Sequence, residues 1–102
     1  MDGIAYLIQS GGYIEDEIGQ RLPAEEIRTE IFVSVASVSR SEFFGAGKTG
    51  LTPEYVLKTV SVNYSGEKEL EYDGERYAIY RTFSPSDSDE IELYISKKVG
   101  VI

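Results

Sequence analysis

The stretch Gly45-Ala46-Gly47-Lys48-Thr49-Gly50 invites a nucleotide reading, because Gly47-Lys48-Thr49 matches the end of a phosphate-binding loop. Such a loop needs a further glycine five residues earlier, and it runs from a strand into a helix so that backbone amides can cradle the phosphates. Here that position is Glu42, whose carboxylate repels phosphate, and Leu51-Thr52-Pro53 leads into a strand. The segment therefore reads as a flexible loop tip. Two acidic clusters, Glu15-Asp16-Glu17 and Asp87, Asp89 and Glu90, offer carboxylate oxygens of the kind that hold calcium. Neither follows the spacing of an EF-hand loop, and both read as solvated turns. Eight tyrosines suggest a stacking platform for single-stranded nucleic acid, but such platforms sit in a positive groove. With eighteen acidic against ten basic side chains, core and interface roles fit the tyrosines better.

Missing residue types exclude more chemistry. The sequence contains no cysteine and no histidine. Disulfides, thiolate nucleophiles and thiolate metal sites are impossible, and so is Ser-His-Asp catalysis. The commonest general base near neutral pH is absent as well. A small acidic hydrolase using two carboxylates remains formally open, but a chain of 102 residues is short for a deep cleft, and no cofactor is expected. A net charge of −8 argues against nucleic-acid binding over the whole surface and against adsorption to anionic lipid. No basic-then-apolar leader opens the sequence, and no apolar run approaches the roughly 18 to 20 residues of a membrane helix, so neither secretion nor membrane insertion is expected.

The elements that must position these residues lean toward sheet. Length suits one domain spanning residues 1–102, and β-branched and aromatic residues outweigh leucine and alanine. Ile4–Gln9 reads as a strand closed by Ser10-Gly11-Gly12. A hairpin with an acidic tip is expected over residues 4–30, with a short helix over 24–30 as the competing reading. From Arg28 to Ser39, Ile31, Val33 and Val35 share one face while Phe32, Ala36 and Val38 share the other. That pattern predicts a strand covered on both faces, by the core on one side and by a neighbouring chain or an element of its own chain on the other.

Ser39 begins a capping box with Glu42 at its third position, which predicts one helical turn over Arg40–Phe44. Gly45, Gly47 and Gly50 are expected to end it and to leave residues 45–52 as a mobile loop. Pro53–Tyr64 alternates with period two, placing Val60, Val62 and Tyr64 inward and Thr59, Ser61 and Asn63 in water, with Lys58 snorkelling. Asp73-Gly74 is a strong two-residue hairpin connector, predicted to pair Leu70 and Tyr72 with Tyr77 and Ile79. Ile91, Leu93 and Ile95 alternate inward against Glu90, Glu92 and Tyr94. The expected fold is an all-β, mostly antiparallel barrel of six or seven short strands, closed because an open sheet would expose its edges.

A small barrel cannot hide all of this apolar material. Phe43 and Phe44 beside a glycine-rich loop are suited either to anchor a partner surface or to plug one end of the barrel.

These residues also carry a family resemblance. Ser37-Val38-Ser39-Arg40-Ser41-Glu42-Phe43-Phe44 followed by Gly50-Leu51-Thr52-Pro53-Glu54-Tyr55 resembles tailed-phage head–tail joining proteins, also called head-completion or stopper proteins. The likeness continues through Asn63-Tyr64-Ser65-Gly66-Glu67, Leu70-Glu71-Tyr72-Asp73-Gly74 and Tyr77-Ala78-Ile79-Tyr80-Arg81-Thr82. It closes with Glu92-Leu93-Tyr94 and Lys98-Val99-Gly100, and Ile8, Gly19 and Arg28 also fit. The resemblance implies a non-enzymatic β-barrel with an extended loop, here within residues 39–54, that assembles as a ring beneath a portal and its adaptor. Such a ring seals the packaged head and docks a tail or tail-completion protein, while DNA passes without specific binding. It implies a place in the virion connector, with assembly in the bacterial cytoplasm and a subunit that can be monomeric in isolation. Phe43, Phe44, Gly45, Gly47, Lys48, Gly50 and Tyr55 are the implied channel-loop or ring-contact candidates. The competing class is a β-barrel module that binds a protein or peptide outside any virion.

Overall fold

A computed structural model gives the fold. It describes residues 2–9, 13–15, 17–23, 25–48 and 50–97, with the backbone alone for 13–15 and 21–23. In chain order the elements are β1 (Asp2–Gln9), β2 (Tyr13–Glu15), β3 (Arg21–Pro23), β4 (Ile27–Ser37), α1 (Arg40–Gly47), β5 (Pro53–Val60), β6 (Glu69–Tyr72), β7 (Glu75–Phe83) and β8 (Glu90–Lys97). Six strands close an antiparallel barrel in the order β1-β4-β5-β8-β7-β6, and β2 and β3 pair as a separate ribbon. Closure runs through β1, which pairs with β4 on one side and with β6 on the other, so the barrel has no free edge.

The hairpin expected over residues 4–30 is two nested ribbons, β1 with β4 and β2 with β3. Of its acidic tip, Glu17 is exposed and Asp16 lies outside the described residues. No helix forms at the described residues 25–30. Ile27 and Arg28 already pair with Gln9 and Ile8, so strand partners override the helix-tolerant glutamates.

Leu7, Leu57, Leu70, Leu93 and Ile95 are completely buried at the centre, with Ala5, Ile31, Val33, Tyr77 and Ile91 around them. The Asp73-Gly74 turn has positive φ at both positions, 54° and 78°, as a two-residue hairpin loop demands. That loop sets the register: Tyr72 faces Glu75 and Leu70 faces Tyr77. The expected Leu70–Tyr77 pair is present. Ile79 lies beyond Tyr72's reach, and its amide instead donates to the Lys68 carbonyl at 2.9 Å. In β8 the inward set is Ile91, Leu93 and Ile95, as expected.

The phase of β5 is the reverse of the expected one. Leu57 and Thr59 face the core, while Val60 and Val62 are exposed, Val62 by 84%. Pairing with β8 decides this, because Leu57 opposite Leu93 and Thr59 opposite Ile91 fill the interior, while Lys58 opposite Glu92 stays outside. The buried Thr59 hydroxyl donates to the Phe32 carbonyl at 2.9 Å and accepts from the Asn63 amide at 3.0 Å, so its burial leaves no polar atom unmatched. β5 stops at Val60, and a 3₁₀ turn over Ser61–Asn63 carries the chain away. Tyr64 packs against the core, half-buried.

β4 differs too. Ile31 and Val33 are buried and Val35 packs on the core, but Phe32 is 74% exposed. Among the described residues nothing in this chain covers Phe32, so the expected second cover is not supplied from within. One comparison checks the corrected phase of β5. Leu57→Ala should cost about 3 kcal/mol in chemical denaturation and Val60→Ala under about 1 kcal/mol; equal losses would mean the reversed phase is wrong.

Candidate functional site

The connection between β4 and β5 holds most of the sequence-derived candidates. Ser39 is the N-cap of α1, and its hydroxyl accepts from the Glu42 amide at 3.1 Å. Only this half of the capping box forms, because the Glu42 carboxylate turns away toward β7. The helix also outruns the single turn expected of it, continuing through Gly45 to Gly47. The second turn is held by the i→i−4 bond from the Lys48 amide to the Phe44 carbonyl, and its C-terminus is capped by the Leu51 amide donating to the Ala46 carbonyl five residues back, each at 3.3 Å. The stop is Gly50, at φ +86°, a left-handed conformation that favours glycine.

Glu42 fastens this arm to the barrel. The Tyr80 hydroxyl donates to Glu42 Oε2 at 2.6 Å, and the Arg81 guanidinium donates to both carboxylate oxygens, at 2.5 Å and 3.3 Å. Consecutive residues of a flat strand point to opposite faces, so one carboxylate would not normally reach both. A register shift in β7 between Ile79 and Arg81 resolves this: Ile79 faces Ile95 and Arg81 faces Tyr94, so the extra residue Tyr80 bulges and both groups turn to one side. The guanidinium also lies 3.9 Å over the Tyr94 ring, and the Tyr94 hydroxyl donates to Glu92 at 2.7 Å. The Glu42 side chain is 14% exposed. The Arg81 bond, then the Tyr80 bond, hold its carboxyl below the ordinary value of 4.5. Burial, then the bond to Glu42, push the Tyr80 phenol upward. A carboxylate locked in its charged form by a guanidinium is a clamp and a poor proton donor.

Helical geometry dictates what faces outward. Residues four apart share a face, so Glu42 and Ala46 lie on one side, where they help line a shallow cleft of about 350 Å³ against the barrel. Arg40, Phe44 and Lys48, also four apart, form a stripe on the far side, and all three are exposed. Phe43 and Phe44 meet edge-to-face at 5.9 Å and are 45% and 62% exposed. No residue of α1 is buried. The rings therefore do not plug the barrel.

Gly45 and Gly47 lie within the helix with open space where a side chain would sit. Tyr55 is apart from this cluster. It is half-buried at the barrel interior, edge-to-face with Tyr72 at 5.7 Å and with Tyr77 at 6.3 Å. Burial, then the bond to Glu75, raise the Tyr77 phenol to about 12. Sequence reasoning missed Tyr80, Arg81 and Tyr94, because a bulge leaves no local mark. It also missed the outward row in which Ile4 opposes Phe32. Beside Phe32 and Val60 opens a groove of about 500 Å³. Among the described residues no three acids come together as a cation site.

No protein-family model matches this sequence, and no curated protein matches it significantly.

Arg81→Ala should cost about 1 kcal/mol, a modest figure because the half-exposed guanidinium is screened by solvent. Amide exchange should speed up over residues 40–47 while the barrel stays protected, and uniform protection would contradict the clamp. The same clamp is pH-dependent. Since the Glu42 pKa is lowered on folding, its contribution is complete above about pH 4.5 and fades as pH falls through the folded-state value. Protection factors over 40–47, measured against the intrinsic rate at each pH, should fall across that acidic window in the natural protein, and Glu42→Gln should remove that pH-dependence of protection.

Proposed function

We propose that the protein is a structural component of a tailed-phage or prophage head–tail connector, where copies form a ring that seals the packaged head and presents a docking surface to the tail. The observation that carries this reading is the arm. A helix that buries none of its own residues is held to the barrel wall by one carboxylate clamp, and two phenylalanines are left in water. Keeping such rings exposed is unfavourable for a lone soluble chain, and it suits a surface that is covered on assembly. The resemblance described above supplies the identity of that assembly, with the portal and adaptor above and a tail-completion or tail protein below.

Charge supports the same reading. Repeating a net charge of −8 around a ring gives a wall that repels phosphate and lets DNA slide through without sticking. No catalysis is assigned to the protein. Its place is the virion connector, reached by assembly in the bacterial cytoplasm.

Electron microscopy of the protein mixed with portal–adaptor complexes of the same phage or prophage is the test. A ring of added density beneath the adaptor is expected, with an acidic lumen. Phe43→Ser with Phe44→Ser should abolish ring formation or neighbour docking while circular dichroism stays unchanged. Absence of density with the natural protein would refute the reading. A ring with a basic or neutral lumen, its acids on the outer rim, would refute the charge argument alone.

A further inference from the structure

Charge is divided unevenly along the chain. Within residues 39–52, Arg40 and Lys48 against Glu42 leave +1, so the rest of the chain carries −9 and the whole −8. Glu42 is already neutralised by Arg81, and the outward stripe of α1 is therefore basic, aromatic, basic: Arg40, Phe44, Lys48. Neither Arg40 nor Lys48 has an acidic partner among the described residues. Across the helix their Cα atoms stand about 12 Å apart.

The groove beside Phe32 and Val60 has the opposite pattern. Its apolar floor is flanked by Asp2 on β1 and Glu90 on β8. The barrel order places those acids three strand spacings apart, about 14 Å. Neither carboxylate has a basic partner among the described residues, and Lys58, which also borders the groove, reaches toward Glu92 at 3.9 Å. Phe32 and Val60 part company here. The β4–β5 ladder ends at Ser34–Lys58, which leaves the Phe32 carbonyl to the Thr59 hydroxyl and opens the cleft. Arm and groove lie at opposite ends of β5, which runs from Pro53 to Val60, about 23 Å. One copy cannot join its own arm to its own groove.

We propose that the Arg40–Phe44–Lys48 face of one copy seats in the Phe32–Val60 groove of the next, with Phe44 on the apolar floor and its two flanking bases against Asp2 and Glu90. This deepens the ring reading and rests on it for its biological setting. Two different patches of one chain make a heterologous contact, which closes into a ring when its rotation permits and otherwise propagates. The occupant of the groove is thus a second copy of this chain. Matching signs select it: a like arm-to-arm contact would oppose four bases, and a like groove-to-groove contact four acids.

Because the natural sequence has no cysteine, disulfide trapping is clean. Gly47→Cys, three residues from Phe44 on the same face and with open space around it, keeps the anchor; mixed with Val60→Cys protein at millimolar concentration under mild oxidant, it should give the mixed dimer in at least tenfold excess over either self-dimer. The double variant should give a ladder of multimers. Arg40→Glu with Lys48→Glu should abolish trapping, and adding Asp2→Lys with Glu90→Lys on the partner protein should restore it. No mixed dimer, or Gly47→Cys self-dimers in equal yield, overturns the pairing. Rings on portal–adaptor complexes without mixed trapping would leave the connector reading intact while removing this contact. Mixed trapping without rings would do the reverse.

Discussion

β1 makes ladders on both of its sides, opposing Ala5 to Ile31 on β4 and to Tyr72 on β6, and Leu7 to Thr29 and to Leu70. Ala5 and Leu7 are completely buried between those neighbours. Without that double pairing β4 and β6 would each expose a row of unmet amides and carbonyls, and the interior would open to water. Closure also frees the strand connections from structural duty. Once the core is sealed by side chains of six strands, the segment between β4 and β5 can project a helix that contributes nothing to the interior.

That helix is nevertheless fixed in direction. One carboxylate is gripped by a phenol and a guanidinium, and the guanidinium is backed by the Tyr94 ring. A single extra residue in β7 makes the grip possible by turning Tyr80 and Arg81 to the same side. Orientation of Phe43 and Phe44 thus traces to an irregularity in a strand almost forty residues later, with the barrel wall as the rigid connection between them. A surface presented this way loses little conformational freedom on contact, which favours association.

Local sequence patterns made some of this legible. Asp73-Gly74 fixes both the turn and the opposition of Leu70 to Tyr77, because a two-residue loop leaves no other register. The β8 alternation is equally plain, since its outward residues are two glutamates and a tyrosine. β5 was ambiguous because both of its faces carry apolar residues. Valines made one face look interior, and Lys58 on that same face was the contrary sign. What settles the phase is remote: the carbonyl that satisfies Thr59 belongs to Phe32, 27 residues earlier. Helix α1 was underestimated for a related reason. Glycines at 45 and 47 weaken a helix in isolation, but the docking of Glu42 and the bonds around Ala46 hold the second turn. At Ser39 the cap was visible in the sequence; the partners of Glu42 were not.

The most direct measurement is a set of nuclear Overhauser contacts on the isolated protein in solution at neutral pH. Cross-peaks should join the Glu42 methylenes to the Tyr80 ring, and the Phe44 ring should show none to any interior residue of the barrel. Contacts from the Phe43 or Phe44 rings to Leu57 or Ile95 would mean the aromatic pair is folded inward, and an outward assembly arm would not exist.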